Sequence, residues 1–161
     1  MKIFTSAVCA IGFLAAGAAL AGEGNNVGCR TEYFCNWADL QGQDFSGKDI
    51  SEKSFEAANL SRAKLKGVKA DHVTFHIANL NDANLSGADL QGASFFSGTA
   101  VKADFSGANL KGVNFTRTNL RGANFKGAQM DGATVLIHAY LDGAVWTDGR
   151  VCAEGSFGSC K

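Results

Sequence analysis

The chain has 161 residues, with 15 Lys and Arg against 15 Asp and Glu, five cysteines, 20 glycines and no proline. A formally neutral chain exerts no sequence-independent pull on nucleic acid or anionic lipid, so either partner would need a separate warrant, and the sequence supplies none. The length suits one domain, and the lack of proline fits a backbone whose N–H groups are nearly all used in one continuous pattern.

Residues 1–21 read as a secretory signal. Met1-Lys2 leads into an apolar stretch from Ile3 to Leu20 that ends on the small-residue site Ala19-Leu20-Ala21, with cleavage expected after Ala21. The alternative is an uncleaved membrane anchor, against which stand the modest hydrophobicity of the segment and the polar run Gly22-Glu23-Gly24-Asn25-Asn26 behind it. Cys9 would leave with the leader, so the mature chain keeps Cys29, Cys35, Cys152 and Cys160. The expected location is periplasmic or secreted, with no stable membrane insertion after cleavage. Residues 22–37 then form an N-terminal cap containing a cysteine loop.

From Ala38 the chain divides into fives: ADLQG, QDFSG, KDISE, KSFEA, ANLSR, and so on without a gap to ATVLI at Ile137. In all twenty units the third residue, the centre, is apolar: eight Leu, seven Phe, and Ile50, Ala70, Ala100, Met130 and Val135. Two positions before the centre twelve units carry Ala, and two positions after it ten carry Gly. The phase slips by one near His138, and two further units, Ala139 to Gly143 and Ala144 to Asp148, are centred on Leu141 and Trp146. A helix would repeat near 3.6 and a strand at 2, so a period of five points to a solenoid over residues 38–148, with 149–161 left as a C-terminal cap.

The A(D/N)LxG-like units resemble the pentapeptide-repeat family, over Ala38 to Asp148. The resemblance implies an all-β, right-handed quadrilateral β-helix with four repeats per coil, here about five and a half coils with disulfide-capped ends. Each unit would be one wall of a square tube, its centre pointing to the axis, its small residue filling space near a corner, and its glycine taking the positive φ of a tight turn. Adding twenty then gives four internal columns. One holds Phe55, Phe75, Phe95, Phe115 and Val135; a second holds Phe45, Leu65, Leu85, Phe105 and Phe125. The third is Leu40, Leu60, Leu80, Ala100 and Leu120, and the fourth Ile50, Ala70, Leu90, Leu110 and Met130. Ala70 and Ala100 are weak centres, beside which Val68 and Val73 are expected to lean inward. Coils about 4.8 Å apart separate the two ends of such a rod beyond disulfide reach. In this fold four cysteines therefore pair as Cys29–Cys35 and Cys152–Cys160. The tail from Trp146 through Cys152 to Cys160 also resembles those of exported members of the family.

A tube filled by Leu and Phe offers no substrate pocket, and no catalytic constellation, phosphate loop or CxxC pair is present, so the chain is expected to be non-catalytic and without cofactor. The Asp, Asn and Ser residues before the centres read as repeat positions serving nearby backbone, and His138 as a local feature of the phase slip. Stacking places His72 over Glu52 and His76 over Glu56, with Asp71 beside them, which would suit a divalent metal or a solvated charge ladder. Apolar residues at outward positions mark a candidate partner surface: Ile77, Phe96 and Val101, rimmed by Asp82, Lys102, Arg117 and Arg121. The basic cluster from Arg62 to Lys69 is a rival. The expected function is an exported scaffold or interaction module for an envelope or extracellular protein, without nucleic acid. The alternative that the resemblance raises, a DNA-mimicking topoisomerase modulator, calls for a strongly acidic surface, whereas Lys64, Lys66, Lys69, Lys111, Arg117, Arg121 and Lys126 stand at outward positions. Two disulfide-closed ends favour a monomer.

Overall fold

The structure, a computed structural model, describes residues 35–161. The predicted leader and the Cys29 side of the predicted N-terminal bridge lie outside the described residues.

Each five-residue unit repeats one local conformation. The residue before the centre forms a parallel bridge to its counterpart twenty residues on, as in the series Asp39, Asn59, Asn79, Thr99 and Asn119. The centre opens a β-turn closed by the next unit, for example Ala78 N–H to Phe75 C=O at 3.2 Å. The second central residue of the turn has positive φ, the first does not, which is the type II pattern. Four ladders of bridges result, one per wall. We number the walls by their inward residues: wall 1 from Leu40, wall 2 from Phe45, wall 3 from Ile50 and wall 4 from Phe55.

Coils are joined as in a parallel sheet. On wall 4, Phe75 N–H donates to Ser94 C=O at 2.7 Å and Ile77 N–H to Phe96 C=O at 3.0 Å, while Ser94 N–H returns to Val73 C=O at 3.0 Å. The side chains of the bridge residues extend this network. Asp and Asn there accept from the N–H two residues on, as Asp44 does from Ser46 at 3.0 Å. They also pair along the wall, as Asn124 Nδ2 does with Asp104 Oδ1 at 3.0 Å. These polar residues serve the backbone, as their spacing implies.

The lumen is filled as predicted by column. Phe55, Phe75, Phe95 and Phe115 stack with ring centroids 5.4, 5.0 and 5.0 Å apart. Opposite them on wall 2, Phe105 and Phe125 lie 5.2 Å apart and nearly parallel. Phe105 meets Phe95 and Phe115 edge-on at 5.7 Å, so the two aromatic columns interlock across the axis. Ala70, Ala100, Val68 and Val73 are all buried. The buried hydroxyl of Thr118, standing where most units have Ala, donates to Phe95 C=O at 2.8 Å.

One predicted column needs correction. Bridges advance by twenty up to Ser94 and Asn114, but then pair Asn114 with Val135, Asn119 with Tyr140 and Asn124 with Val145, an advance of twenty-one. The extra residue therefore sits between Met130 and Val135, and not near His138. Val135 is a bridge residue on the outside of wall 4, and Leu136 takes the inward place beyond Phe115. Asp131 stabilises the insertion: its Oδ1 accepts from Gly112 N–H, Ala133 N–H and Thr134 N–H at 3.0, 3.0 and 3.1 Å.

The ends differ. Cys35 is buried and already in register, its N–H donating to Ser54 C=O at 2.8 Å, so that it heads the Phe55 column. After Trp146 the chain reverses at Gly149 and runs back antiparallel, bridging Val151 to Val145 and Phe157 to Tyr140. The Cys152–Cys160 disulfide closes this returning segment, with Cα atoms 4.9 Å apart.

Candidate interaction surface

The four corners are built alike but occupied differently. The corner after wall 2 has Gly47, Gly67, Gly87, Gly107 and Gly127 at the positive-φ position. The corner after wall 4 has no glycine there. It holds Trp37, Ala57, Ile77, Ser97, Arg117 and His138, with φ of 62, 55, 58, 56, 59 and 59°. Left-handed backbone costs an L-residue about 1–2 kcal/mol relative to the ordinary regions, and a β-branched residue such as Ile77 is an outlier in it. Folding alone would favour glycine at all six positions.

What this corner gains is a ridge of side chains along the tube. Trp37 is 79% exposed, Ile77 60% and Ile137 58%. Between them lies Phe96, partly buried, its ring 5.9 Å from that of His76 in an edge contact. At the far end His138 stacks on Phe157 at 5.4 Å, and Phe157 meets Tyr140 at 5.1 Å. Arg117, His138, Tyr140 and Phe157 line a shallow cleft there.

The predicted surface residues divide between two corners. Ile77, Phe96 and Arg117 belong to the ridge after wall 4. Val101, Lys102, Asp82 and Arg121 stand on the next corner, after wall 1, where Val101 N–H donates to Asn81 Oδ1 at 2.8 Å. The outward polar residues of wall 1, among them Thr99 and Asn119, run between the two groups. Arg121 is engaged: its Nε lies 2.9 Å from Asp142 Oδ2 and its guanidinium 4.7 Å from the centre of the Tyr140 ring. The Asp142 carboxyl is held below its ordinary range, chiefly by that Arg121 hydrogen bond. Of the rival basic cluster, Lys64 pairs loosely with Asp44 at 3.8 Å on wall 2.

The candidate metal ligands also separate. Glu52 and His72 occupy the corner after wall 3, whereas Glu56 and His76 occupy the corner after wall 4. The His72 ring pairs with Asp71 at 3.0 Å and lies against Gly92, while His76 Nε2 is 2.7 Å from Ser94 Oγ. Among the described residues no three His, Cys, Asp or Glu side chains are placed to hold one ion.

The repeated unit decides the kinship. The sequence matches the Pentapeptide repeats family in eight copies, over residues 35–76, 58–95 and 101–135. The chain belongs to the pentapeptide repeat family. Among solved structures it is similar to Rfr23, a pentapeptide repeat protein from the cyanobacterium Cyanothece 51142, at 28% identity and a TM-score of 0.56. That match covers 56% of this chain and 62% of Rfr23, so the chain spans under two thirds of that relative. A pentapeptide repeat protein from the Arabidopsis thaliana thylakoid lumen is 38% identical over 70% of this chain and 68% of its own, with a TM-score of 0.34. HetL, a pentapeptide repeat protein of Nostoc sp. strain PCC 7120 involved in heterocyst differentiation regulation, is 22% identical with a TM-score of 0.35, covering 75% of each chain. No curated protein matches. The family fold is a right-handed β-helix, and the described residues contain no α-helix.

Within this pentapeptide repeat framework, sequence reasoning missed Trp37, Ile137, Tyr140 and Phe157. Trp37 precedes the first unit that the five-residue pattern recognises, and Ile137 falls at a different position once the extra residue lies before Val135. Phe157 lies beyond the repeats, and only the antiparallel return brings it to Tyr140. The missing glycines were a usable signal: reading the corner position by wall, and not by unit, separates an all-glycine corner from one without glycine.

Proposed function

We propose that this pentapeptide repeat protein is an exported, non-catalytic scaffold that binds a protein of the cell envelope or exterior along the ridge after wall 4. The observation that carries the reading is the run of six left-handed L-residues on that corner, two of which, Trp37 and Ile77, are large, apolar and exposed. For Trp37 and Ile77 that conformational cost is offset by little burial in the fold, and contact with a partner supplies the compensation. Export rests on the leader-like residues 1–21 and on paired cysteines suited to an oxidising compartment. The absence of catalysis rests on a lumen closed by stacked aromatic rings.

The test places a photo-crosslinking residue at position 77 or 97 on the ridge, and at position 66 on the glycine-bearing corner as control, in cells exporting the protein. The ridge positions should give a discrete protein adduct and position 66 none. Phe96→Asp should abolish the adduct while leaving the thermal melt unchanged. Equal labelling from all positions, or an adduct indifferent to Phe96→Asp, would move the binding surface elsewhere.

A further inference from the structure

The last coil leaves half of its edge unpaired. Inside the tube, each wall-4 unit offers the next coil two N–H groups and one carbonyl: Phe95 N–H goes to Asn114 C=O at 2.8 Å, Ser97 N–H to Thr116 C=O at 3.0 Å, and Ala93 C=O receives Asn114 N–H at 2.9 Å. On walls 1 and 2 the returning C-terminal segment takes the place of a further coil. Leu141 N–H donates to Ser156 C=O and Gly143 N–H to Cys152 C=O, both at 2.9 Å, and Gly158 N–H donates to Ala139 C=O at 2.9 Å. The Cys152–Cys160 bridge then ties the segment back on itself. The corresponding groups of wall 4, Leu136 N–H, His138 N–H and Thr134 C=O, have no hydrogen-bond partner among the described residues.

This edge is also shaped for an occupant. Residues 134–138 form one side of a groove and Phe157, Gly158 and Ser159 the other. Leu136 is partly buried at the floor, and Ile137 and Phe157 (47% exposed) stand at the rim. The groove shares His138 and Phe157 with the cleft that contains Arg117. The Arg117 side chain makes no ion pair or hydrogen bond among the described residues. Asp142, beside Tyr140 through Arg121, is already held by that arginine and by the N–H groups of Gly155 and Ser156. The cleft that joins the groove thus presents the Arg117 guanidinium without an ion-pair partner among the described residues.

We infer that the Thr134–His138 edge is a docking site for an extended peptide segment of a partner protein, which adds to wall 4 as a strand and places an acidic side chain against Arg117. Strand addition satisfies the three backbone groups, an apolar side chain of the segment meets Ile137 and Phe157, and a carboxylate answers the guanidinium. The returning segment already shows the geometry on the two neighbouring walls, so the added strand continues an interface the protein makes with itself. The site shares Arg117, Ile137 and His138 with the far end of the ridge but is argued from the unpaired backbone edge, which amide protection at Leu136 and His138 tests whether or not the rest of the ridge binds a partner.

The test uses the full oxidised chain, 15N-labelled, with two acetylated synthetic pentapeptides that alternate valine with glutamate or with lysine. The glutamate peptide should shift the amide resonances of Leu136 and His138, slow their hydrogen exchange, and bind about tenfold more tightly than the lysine peptide. Arg117→Gln should remove that preference without removing the amide protection, because the backbone pairing does not involve the side chain. Failure of millimolar glutamate peptide to shift or protect either amide would overturn the proposal. Protection of the same amides by the protein alone, rising with its concentration, would also overturn it, in favour of a second copy as occupant.

Discussion

Phe95 shows what a single centre contributes. It is fully buried, stacked at 5.0 Å on both Phe75 and Phe115 and met edge-on by Phe105 at 5.7 Å. Phe95→Ala would open a cavity that rigid walls on all four sides cannot collapse into, so urea denaturation should show a loss of about 3–5 kcal/mol. Ile77 is the opposite case. Its φ of 58° is one that glycine adopts without cost, and its side chain is mostly exposed. Ile77→Gly releases about 1–2 kcal/mol of left-handed strain. Against this stands about 0.5–1 kcal/mol of added unfolded-state entropy. The variant should therefore melt no lower than the parent, and a drop in melting temperature would show that Ile77 is held for folding. The two residues also mark what the sequence made legible. An apolar residue every five positions identifies Phe95 as a centre, and the same register puts Ile77 at the position where ten units carry glycine; what the one-letter code leaves open is whether the turn keeps its left-handed form around an isoleucine. The misplaced slip has a similar origin: Val135 and Leu136 are adjacent and both apolar, and only the interactions of Asp131 decide which of them faces inward.

At the scale of the element, the C-terminal return depends on Asp142. Its Oδ1 accepts from Gly155 N–H at 2.7 Å and Ser156 N–H at 3.1 Å, and its Oδ2 from Arg121 Nε at 2.9 Å. The folded protein thus lowers its pKa from the ordinary 3.8, first through Arg121, and lowers that of Asp131 first through Gly112 N–H. Asp44 and Asp49 are lowered in the same direction, first by the N–H groups of Ser46 and Ser51. For a depressed carboxylate the stability is fully present above the unfolded value and is lost as the pH falls through the folded one. The melting temperature should therefore hold steady down to about pH 5 and decline below about pH 4, and Asp142→Asn should flatten part of that decline while lowering the neutral-pH value. A profile unchanged by the substitution would mean that the return is not held by Asp142. Cys160→Ser opens the loop to Cys152, eight residues apart, and should cost about 2–3 kcal/mol in denaturant without unfolding the repeats. The sequence makes this bridge legible, because it lies within one end of the rod. It does not reveal that the same segment pairs along walls 1 and 2 and stops short of wall 4, since that choice is made by backbone hydrogen bonds outside the repeat.

For the whole molecule, a solenoid's stability is carried by neighbour-to-neighbour contacts, so an apolar end surface must be covered by the chain itself or by something else. At the N-terminal side that role falls to Cys35, which heads the phenylalanine column of wall 4 and is buried there. If residues 1–21 are a leader, the mature chain begins at Gly22, and the pairing proposed for Cys29 and Cys35 forms only after the chain has reached an oxidising compartment. Export and the covered end are then one event: a chain kept inside the cell would carry a reduced cap as well as an apolar leader. The consequence is measurable in a single preparation. Protein recovered from the periplasm or medium should have the mass of residues 22–161 less four hydrogens, and should take up no alkylating reagent until it is reduced, after which it should take up four equivalents. An unprocessed mass confined to the membrane pellet would show the first 21 residues to be an anchor. A processed chain that alkylates twice without reduction would show that the N-terminal pair is not joined, leaving Cys35 to close the column as a thiol.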